Sequence, residues 1–375
     1  MRRELRNIYQ LGIKELRSLL RDPIMLLLIL FAFTFSVYTK ATSMPENLNK
    51  ATIAVVDEDR STLSHRITDA FYPPYFLSPE VISAEQMDAR MDAGLDTFAL
   101  YIPNNFERDI LAGKQVVIQL NVDATRMSQA FTGSGYIQSI VNAEIDEYLN
   151  GYRSNSAMPV NLTLRARFNP ELSNVWFASV MEIINSITLL SIILTGAALI
   201  REREHGTVEH LLVMPVTPFE IMVSKVWAMA FVVILASFFS LTVVVQWLLA
   251  VPIAGSLGLF FLGVTLNLFA STSLGIFLGT IARSMPQFGL LMFMVLLPLQ
   301  ILSGSMTPFE SMAEPIQWIM QIAPTTHFVA LAQAILYRGA GLTIVWPQFL
   351  ALTIIGAILF SLSLIWFRKF LSKMA

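Results

Sequence analysis

One stretch of sequence decides the class of fold: Val175-Trp-Phe-Ala-Ser-Val-Met-Glu-Ile-Ile-Asn-Ser-Ile-Thr-Leu-Leu-Ser-Ile-Ile-Leu-Thr-Gly-Ala-Ala-Leu199. It is long enough to cross a bilayer, for which a helix needs about 20 largely apolar residues. Glu182 is its only charged residue, and Arg201 and Arg203 follow it directly. Such flanking cations are typical of the cytoplasmic end of a transmembrane helix. The stretch therefore predicts a membrane-spanning helix.

Five further stretches are also predominantly apolar and long enough to span a bilayer or nearly so. The whole chain of 375 residues is 55% hydrophobic and only 14% charged, whereas soluble domains carry roughly a quarter charged residues. We therefore predict an α-helical membrane protein with six transmembrane helices. They are expected at residues 23–39, 175–199, 226–250, 257–282, 287–305 and 348–367, the last five forming a membrane-embedded core within residues 174–375.

The placement of Lys and Arg predicts the orientation. Cytoplasmic segments carry an excess of both, and they concentrate in the N-terminal segment, the loop after the second span and the C-terminus. The loop at 251–256 has none, and residues 306–347 contain only Arg338. Both termini and the loop at 200–225 are thus expected in the cytoplasm, and residues 40–173 outside.

Residues 1–22 predict an amphipathic helix on the inner membrane surface. One face carries Leu5, Ile8, Gly12, Leu16, Leu19 and Leu20, and the other Arg3, Arg6, Lys14, Arg17 and Arg21. Such a helix lies in the interface, and Pro23 then turns the chain into the bilayer. A cleaved signal peptide is the competing interpretation. Its charged region would be unusually long and no A-x-A-like cleavage site follows, so an uncleaved anchor is expected.

Residues 40–173 have the composition of a soluble α/β domain. Strands are predicted at 53–57, 97–102, 116–122 and 160–168, with helices at 104–112 and 128–152. Asp57, Glu58, Asp59 and Asp123 end strands and are interpreted as solvated turn residues. His65 is the domain's only histidine, which argues against a histidine metal site or catalytic triad. Binding is a better interpretation than catalysis.

Composition excludes several classes of chemistry. The chain has no cysteine, so disulfides, thiolate metal sites and a cysteine nucleophile are impossible. A net charge of -2 gives no reason to expect nucleic-acid binding. No G-x-x-x-x-G-K-[ST] phosphate loop occurs, so no ATP site of its own is predicted. No catalytic, cofactor-binding or metal residues are assigned.

The loop after the second span carries an unusual alternation of charges. It begins Arg201-Glu-Arg-Glu-His-Gly-Thr-Val-Glu209, and Thr217-Pro-Phe-Glu220 then forms a capping box that starts a new helix. The loop also contains four glutamates, which the excess of Lys and Arg that sets membrane topology does not explain. We interpret the segment as a polar projection that receives a partner.

The charged motif resembles that of the ABC-2 type transporter permeases. The matching run is Glu202-Arg-Glu-x-Gly-Thr-x-Glu209, and Lys14-Glu-Leu-Arg-x-Leu-Leu-Arg-Asp-Pro23 is similar to the family's N-terminal helix. Two further motifs resemble its bacterial drug- and lipid-exporter-like subgroup with a large extracytoplasmic domain. They are Phe98-Ala-Leu-Tyr-Ile-Pro103, followed by Phe106-x-Arg-Asp109, and Phe168-Asn-Pro-Glu-Leu172.

The resemblance implies a multi-pass permease of the bacterial inner membrane that lacks an ATPase of its own. It implies a separate nucleotide-binding ATPase subunit that binds ATP, and a second permease, either identical or a sister chain. It allows for a periplasmic adaptor and for contact with membrane lipids. Residues 200–216 would be the coupling segment and 306–326 outer re-entrant helices. The coupling residues would be Glu202, Arg203, Glu204, Gly206, Thr207 and Glu209.

The resulting hypothesis is an ATP-driven exporter of an amphipathic, lipid-like or drug substrate. The alternative is a membrane-anchored envelope binding or assembly protein without transport. A proton-driven carrier is third, with Glu182 and Asn185 as its intramembrane polar site, because polar groups at membrane depth are costly and functional candidates.

Overall fold

The chain folds as two units. A computed structural model describes residues 2–43, 50–123, 127–151, 174–204, 206, 215–305 and 309–372. The membrane unit comprises Met1–Met44 and Ala166–Ala375, and the inserted unit comprises Pro45–Arg165. In chain order the elements are α1 (Arg2–Leu20), α2 (Pro23–Thr42), β1 (Ile53–Asp57), α3 (Thr62–Asp69), β2 (Glu80–Val81), α4 (Ala84–Asp92), β3 (Phe98–Ile102), α5 (Phe106–Leu111), β4 (Gln119–Val122), α6 (Met127–Asn150), α7 (Asn174–Glu204), α8 (Pro218–Leu248), α9 (Leu257–Ile281), α10 (Met285–Ser305), α11 (Glu314–Met320), α12 (Pro324–Leu336) and α13 (Leu342–Ser372).

Among the described residues of the membrane unit, six helices are long and apolar enough to cross a membrane: α2, α7, α8, α9, α10 and α13. The six predicted spans are therefore confirmed. The helices extend beyond the apolar stretches, because their polar ends also have helical geometry. The difference between predicted and observed helix length is largest for α13. This helix starts at Leu342, before the predicted residue 348, and continues through Pro347. A proline near the start of a long helix removes one backbone hydrogen bond without ending the helix.

The centre of the membrane unit is the contact between α7 and α9. Ser271, Gly275 and Gly279 recur at every fourth position of α9, a spacing that favours close helix packing. A Cβ atom on Gly275 would lie 2.8 Å from the carbonyl oxygen of Ile192. The Ser191 hydroxyl donates to Oγ of Ser271 at 2.6 Å, within the same interface. The predicted close approach of this face is confirmed.

Three of the spanning helices contain π-helical segments, at Phe31–Phe35 in α2, Ser240–Leu248 in α8 and Ile301–Ser305 in α10. Within the described residues, α7 and α9 are continuous α-helices. Gly304 has φ of 90°, a conformation that a residue with a Cβ atom rarely adopts. The chain therefore leaves α10 at this glycine.

The connection between α10 and α13 contains two helices that meet at a sharp angle. α11 and α12 are bent by 89° at residues 321–323, as expected for a broken span or a re-entrant loop. Helices were predicted here only as far as residue 326, whereas α12 continues to Leu336 with Phe328 and Leu331 fully buried. Pro324 starts α12 at its first position, where proline favours a helix. Residues 306–308 lie outside the described residues.

The inserted unit contains the predicted α/β fold. Its four strands have the order β2-β1-β3-β4, in which β1 pairs in parallel with β2 and β3, and β3 pairs antiparallel with β4. Side chains of β1 and β3 form its core with Leu63 and Ile67 of α3. Of the strand predicted at 116–122, only Gln119–Val122 form a strand, β4. The strand predicted at 160–168 lies outside the described residues.

The acids that follow β1 have structural roles rather than being merely solvated. Asp59 accepts hydrogen bonds from the backbone N–H groups of Phe106 and Glu107, both at 3.0 Å, and so caps α5. Asn104 and Asn105 are of a residue type that is favoured at helix N-caps, but Asn105 has φ of 63° and its side chain makes no capping bond. Burial raises the pKa of Asp59, yet the hydrogen bonds from Glu107, Ser61 and Phe106 outweigh it and hold the pKa below its ordinary value. No cluster of metal-ligating side chains occurs among the described residues.

Candidate functional site

The basic end of the membrane unit is where α1, the end of α7 and the start of α8 meet. We call this end of the membrane unit the basic end because it carries Arg201, Arg203, Arg283 and Arg368. Thr217 caps α8 there: its hydroxyl accepts from the N–H of Glu220, and the Glu220 carboxylate accepts from the N–H of Thr217. The predicted capping box is thus confirmed, and it begins α8 at Pro218.

Two lysines and two glutamates lie close together at this junction. Lys225, two turns into α8, is 1% exposed, and its Nζ lies 3.0 Å from Oε1 of Glu15 and 2.7 Å from Oε2 of Glu202. Lys14 also pairs with Glu202, and its Nζ lies 3.6 Å from Oε1 of Glu15. We call Lys14, Glu15, Glu202 and Lys225 the four-charge cluster. Its two cations balance its two carboxylates, as buried charges require.

The cluster depends on how closely α1 approaches α8. Gly12 makes the approach possible, because a Cβ atom there would lie 2.0 Å from the Trp227 ring. The Trp227 indole N–H donates to the Ile8 carbonyl at 3.2 Å, and the Asn7 amide donates to Glu220 at 3.1 Å. One face of α1 therefore packs on α8, while Leu5 on the predicted apolar face remains largely exposed.

The charged residues at the end of α7 contact three different parts of the bundle. Glu202 is 9% exposed and reaches α1 and α8 through the cluster. Arg203 donates to the Ala282 carbonyl at the end of α9 and lies 4.1 Å from the ring centroid of Phe370 in α13. Glu204 accepts from the first N–H of α10, that of Met285, at 2.9 Å. Through these three residues the end of α7 contacts α1, α8, α9, α10 and α13.

The predicted coupling residues divide into two groups. Glu202, Arg203 and Glu204 contact the bundle as described, and Gly206 has φ of 67°, a conformation that glycine adopts without strain. Thr207 and Glu209 lie outside the described residues, which exclude residue 205 and residues 207–214. The buried position of Glu202 differs from the polar projection interpreted from the sequence, because the charge alternation places it on the inward face.

The polar pair in the second span lies beside the first. Ser36 of α2 donates to Oε1 of Glu182 at 2.5 Å. Glu182 and Asn185 are half-buried and lie one turn apart on α7. Deeper in the same helix, the Asn267 amide donates to the Thr188 hydroxyl at 3.2 Å. The structure therefore ties Glu182 to α2 with a helix–helix hydrogen bond, and the role predicted for the pair stays a prediction.

Comparison with known proteins identifies the family. The family model described as ABC-2 family transporter protein matches residues 23–365. The chain belongs to this family. It is 62% identical to the inner membrane transport permease YhhJ of Escherichia coli K12, over the full length of both chains. It is 28% identical to the probable multidrug ABC transporter permease YbhR of the same strain, over 95% of this chain and 96% of that one. It is 26% identical to the probable multidrug ABC transporter permease YbhS of that strain, over 89% of this chain and 89% of that one.

Membership confirms the resemblance inferred from the charged motif. This ABC-2 permease is a multi-pass transport subunit of the inner membrane and is not the ATPase of its transporter. An ABC permease implies an ATPase partner, because the transport subunit has no phosphate loop to hold ATP.

Sequence analysis missed part of the site of this ABC-2 permease. The sequence places Lys14 on the polar face of the N-terminal helix and Lys225 among the cytoplasmic cations, and it does not predict that they meet Glu15 in a buried site. One signal could have found the cluster: Lys225 lies within an apolar helix, so it requires a buried acid. The sequence does not say which acid, because Glu15 and Glu202 are far from Lys225 along the chain.

Proposed function

We propose that this ABC-2 permease is the translocating half of an ATP-driven exporter. The basic end would face the cytoplasm, where an ATPase subunit binds residues 205–216. The substrate would be amphipathic or lipid-like, drugs included, and would leave the cytoplasm or the inner leaflet. Two observations support export of this kind: the long apolar helices, and the printed description of YbhR and YbhS as probable multidrug ABC transporter permeases.

The observation that carries the proposal is the four-charge cluster. It joins α1, α7 and α8 where the chain enters and leaves residues 205–216. Buried ion pairs with several hydrogen bonds hold one geometry, because losing any partner strands a charge away from water. A displacement of residues 205–216 would therefore move α1, α7 and α8 together instead of being absorbed locally.

Arg203 and Glu204 would extend the movement to the remaining helices. Arg203 holds α9 and α13, and Glu204 holds the first turn of α10. In this proposal, Glu202, Arg203 and Glu204 transmit force inside the bundle, while Thr207 and Glu209 belong to the part that meets the ATPase. A second permease copy or sister chain would complete the pathway, with a periplasmic adaptor and membrane lipids as further partners.

The test is coupling between ATP hydrolysis and transport. A tagged permease is purified from native membranes with its ATPase and reconstituted in liposomes. Glu204→Ala removes the acceptor at the start of α10, so we expect drug-stimulated ATPase activity to fall about tenfold with the complex intact. Lys369→Gln, an exposed change at the same end of the membrane unit, is the control and should leave the activity unchanged.

Two results would contradict the proposal. One is the absence of any ABC ATPase in the purified complex, which would favour the envelope-assembly alternative. The other is loss of transport in Glu182→Gln with normal activity in Glu204→Ala, which would favour a proton-driven carrier.

A further inference from the structure

A long groove runs along α12 on its side facing α13. Its volume is about 850 Å³, within the range of roughly 300–1,000 Å³ that is typical of ligand sites. Residues of α12, of α13 and of the end of α10 line it. Thr326 and Ala330 of α12, Ala351 and Ile354 of α13, and Arg338 just after α12 are among these residues.

The groove lies away from the basic end. The Leu336 carbonyl at the end of α12 accepts from the N–H of Ala254, in the loop that joins α8 to α9 at the opposite end of the membrane unit. Arg338 follows two residues later and marks one end of the groove. From Thr326 to Arg338 a helix rises roughly 18 Å, so the groove is far longer than a single side chain.

Arg338 is a cation that has no counterion among the described residues. It is exposed, and it makes no ion pair or hydrogen bond with any residue in the described part of the chain. It is also the only Lys or Arg in residues 306–347. Outer segments of membrane proteins are poor in both residues, so topology does not account for the charge, and neither does any residue that the structure describes.

Between Arg338 and Thr326, part of the groove wall is apolar. Ala330 of α12 faces Ala351 and Ile354 of α13, and Ile354 is 50% exposed, so this wall opens at the membrane-facing surface. The far end carries Thr326, which is 9% exposed and whose hydroxyl has no hydrogen-bond partner among the described residues. A buried hydroxyl without a partner costs free energy, and a group bound in the groove would remove that cost.

We propose that this groove binds an amphiphile with one acidic head group. A carboxylate or phosphate would lie on Arg338, whose guanidinium can bond such groups with two parallel hydrogen bonds. The hydrocarbon tail would lie between α12 and α13, along Ala330, Ala351 and Ile354. A neutral amphiphile would offer Arg338 no anion, and the cation of a zwitterionic head group would offset the attraction of its phosphate, so both would bind more weakly.

The experiment measures lipid binding to the purified full-length permease by native mass spectrometry. Phosphatidylglycerol is the acidic probe and phosphatidylcholine the zwitterionic one. We expect Arg338→Gln to weaken phosphatidylglycerol binding about threefold to tenfold and Arg338→Lys to restore much of it. Arg368→Gln, an exposed cation at the basic end, is the matched control. Ala330→Trp fills the groove and should abolish the preference for the acidic lipid.

A second measurement distinguishes a resident lipid from a transported compound. A photoreactive phosphatidylglycerol is crosslinked to the permease–ATPase complex in nanodiscs, with and without ATP. A yield that is unchanged by ATP identifies a resident lipid, and a yield that changes identifies an amphiphile in transit. Either result supports an acidic ligand. Binding requires no transport, so it can be tested even if the proposed export fails.

Equal phosphatidylglycerol binding by the native protein, Arg338→Gln and Ala330→Trp would overturn the proposal. So would a spontaneous disulfide between two copies of Ile354→Cys, since it would mean that a second copy of the chain covers the groove. The chain has no other cysteine, so such a disulfide would have a single interpretation.

Discussion

Replacing Lys225 by methionine tests whether the four-charge cluster holds α1, α7 and α8 together. Methionine keeps the length and apolar stem of the side chain but removes the cation. Glu15 and Glu202 are 5% and 9% exposed, so both carboxylates would remain buried with Lys14 as their shared cation. The Lys14 side chain is itself 47% exposed, and water therefore weakens its attraction for them.

The expected cost follows from this geometry. Removing one partner of a buried ion pair costs about 3–5 kcal/mol, because the remaining charge loses water without compensation. Lys225→Met combined with Glu202→Gln should be less damaging than Lys225→Met alone. Only Glu15 then stays charged in the interior, and Lys14 balances it. We expect the second substitution to restore about 1–3 kcal/mol.

The assay is unfolding of the purified permease in mixed micelles at increasing mole fractions of SDS, monitored by tryptophan fluorescence. The expected order of stability is native, then Lys225→Met with Glu202→Gln, then Lys225→Met. Lys369→Met, at an exposed site, controls for the loss of a surface charge and should behave as the native protein. A double variant that is less stable than Lys225→Met would refute the reasoning, because it would mean that the two carboxylates do not compete for one cation.

Three other perturbations follow from single contacts. Gly275→Ala should destabilise the membrane unit by about 1–3 kcal/mol in the same SDS assay, whereas Gly289→Ala, with no atom within 4 Å of its added Cβ, should not. Asp59→Ala should increase amide exchange at residues 106–107 about fivefold to thirtyfold, as expected for losing a cap worth about 1–2 kcal/mol. Because the folded-state pKa of Asp59 is lowered, its contribution to stability is fully present above its unfolded pKa. That contribution is lost as pH falls through the folded value, which thermal unfolding between pH 6 and 3 will measure in native protein but not in Asp59→Ala. Glu182→Gln retains the acceptor for Ser36, so export in liposomes should change by less than about threefold; a complete loss would instead indicate proton coupling.

The spanning helices could be predicted from the sequence because the bilayer requires long apolar runs, and local signals set several boundaries. Thr217 and Pro218 start α8 as their capping geometry predicts. The length of α12 could not be predicted in this way. Pro324 signals a break as well as a helix start, and only the burial of Phe328 and Leu331 distinguishes the two.

The four-charge cluster is beyond prediction from local pattern for a different reason. Its members come from α1, α7 and α8, so the pairing of Lys225 with Glu15 depends on how these helices pack. The cap on α5 is similar: Asp59 reaches Phe106 from another loop, while the sequence points to the adjacent Asn105. Local patterns identify residue types that need partners, and tertiary packing selects the partners.

The two kinds of helix in the membrane unit have a mechanical consequence. α7 is a continuous α-helix of 31 residues, roughly 46 Å long, with the four-charge cluster near one end and Glu182 near the other. α10 instead contains Pro298, a π-helical segment and the turn at Gly304, so its backbone lacks several regular hydrogen bonds. Under load we expect α7 to tilt as a stiff lever and α10 to bend near Gly304, converting a push at one membrane surface into a change of shape at the other.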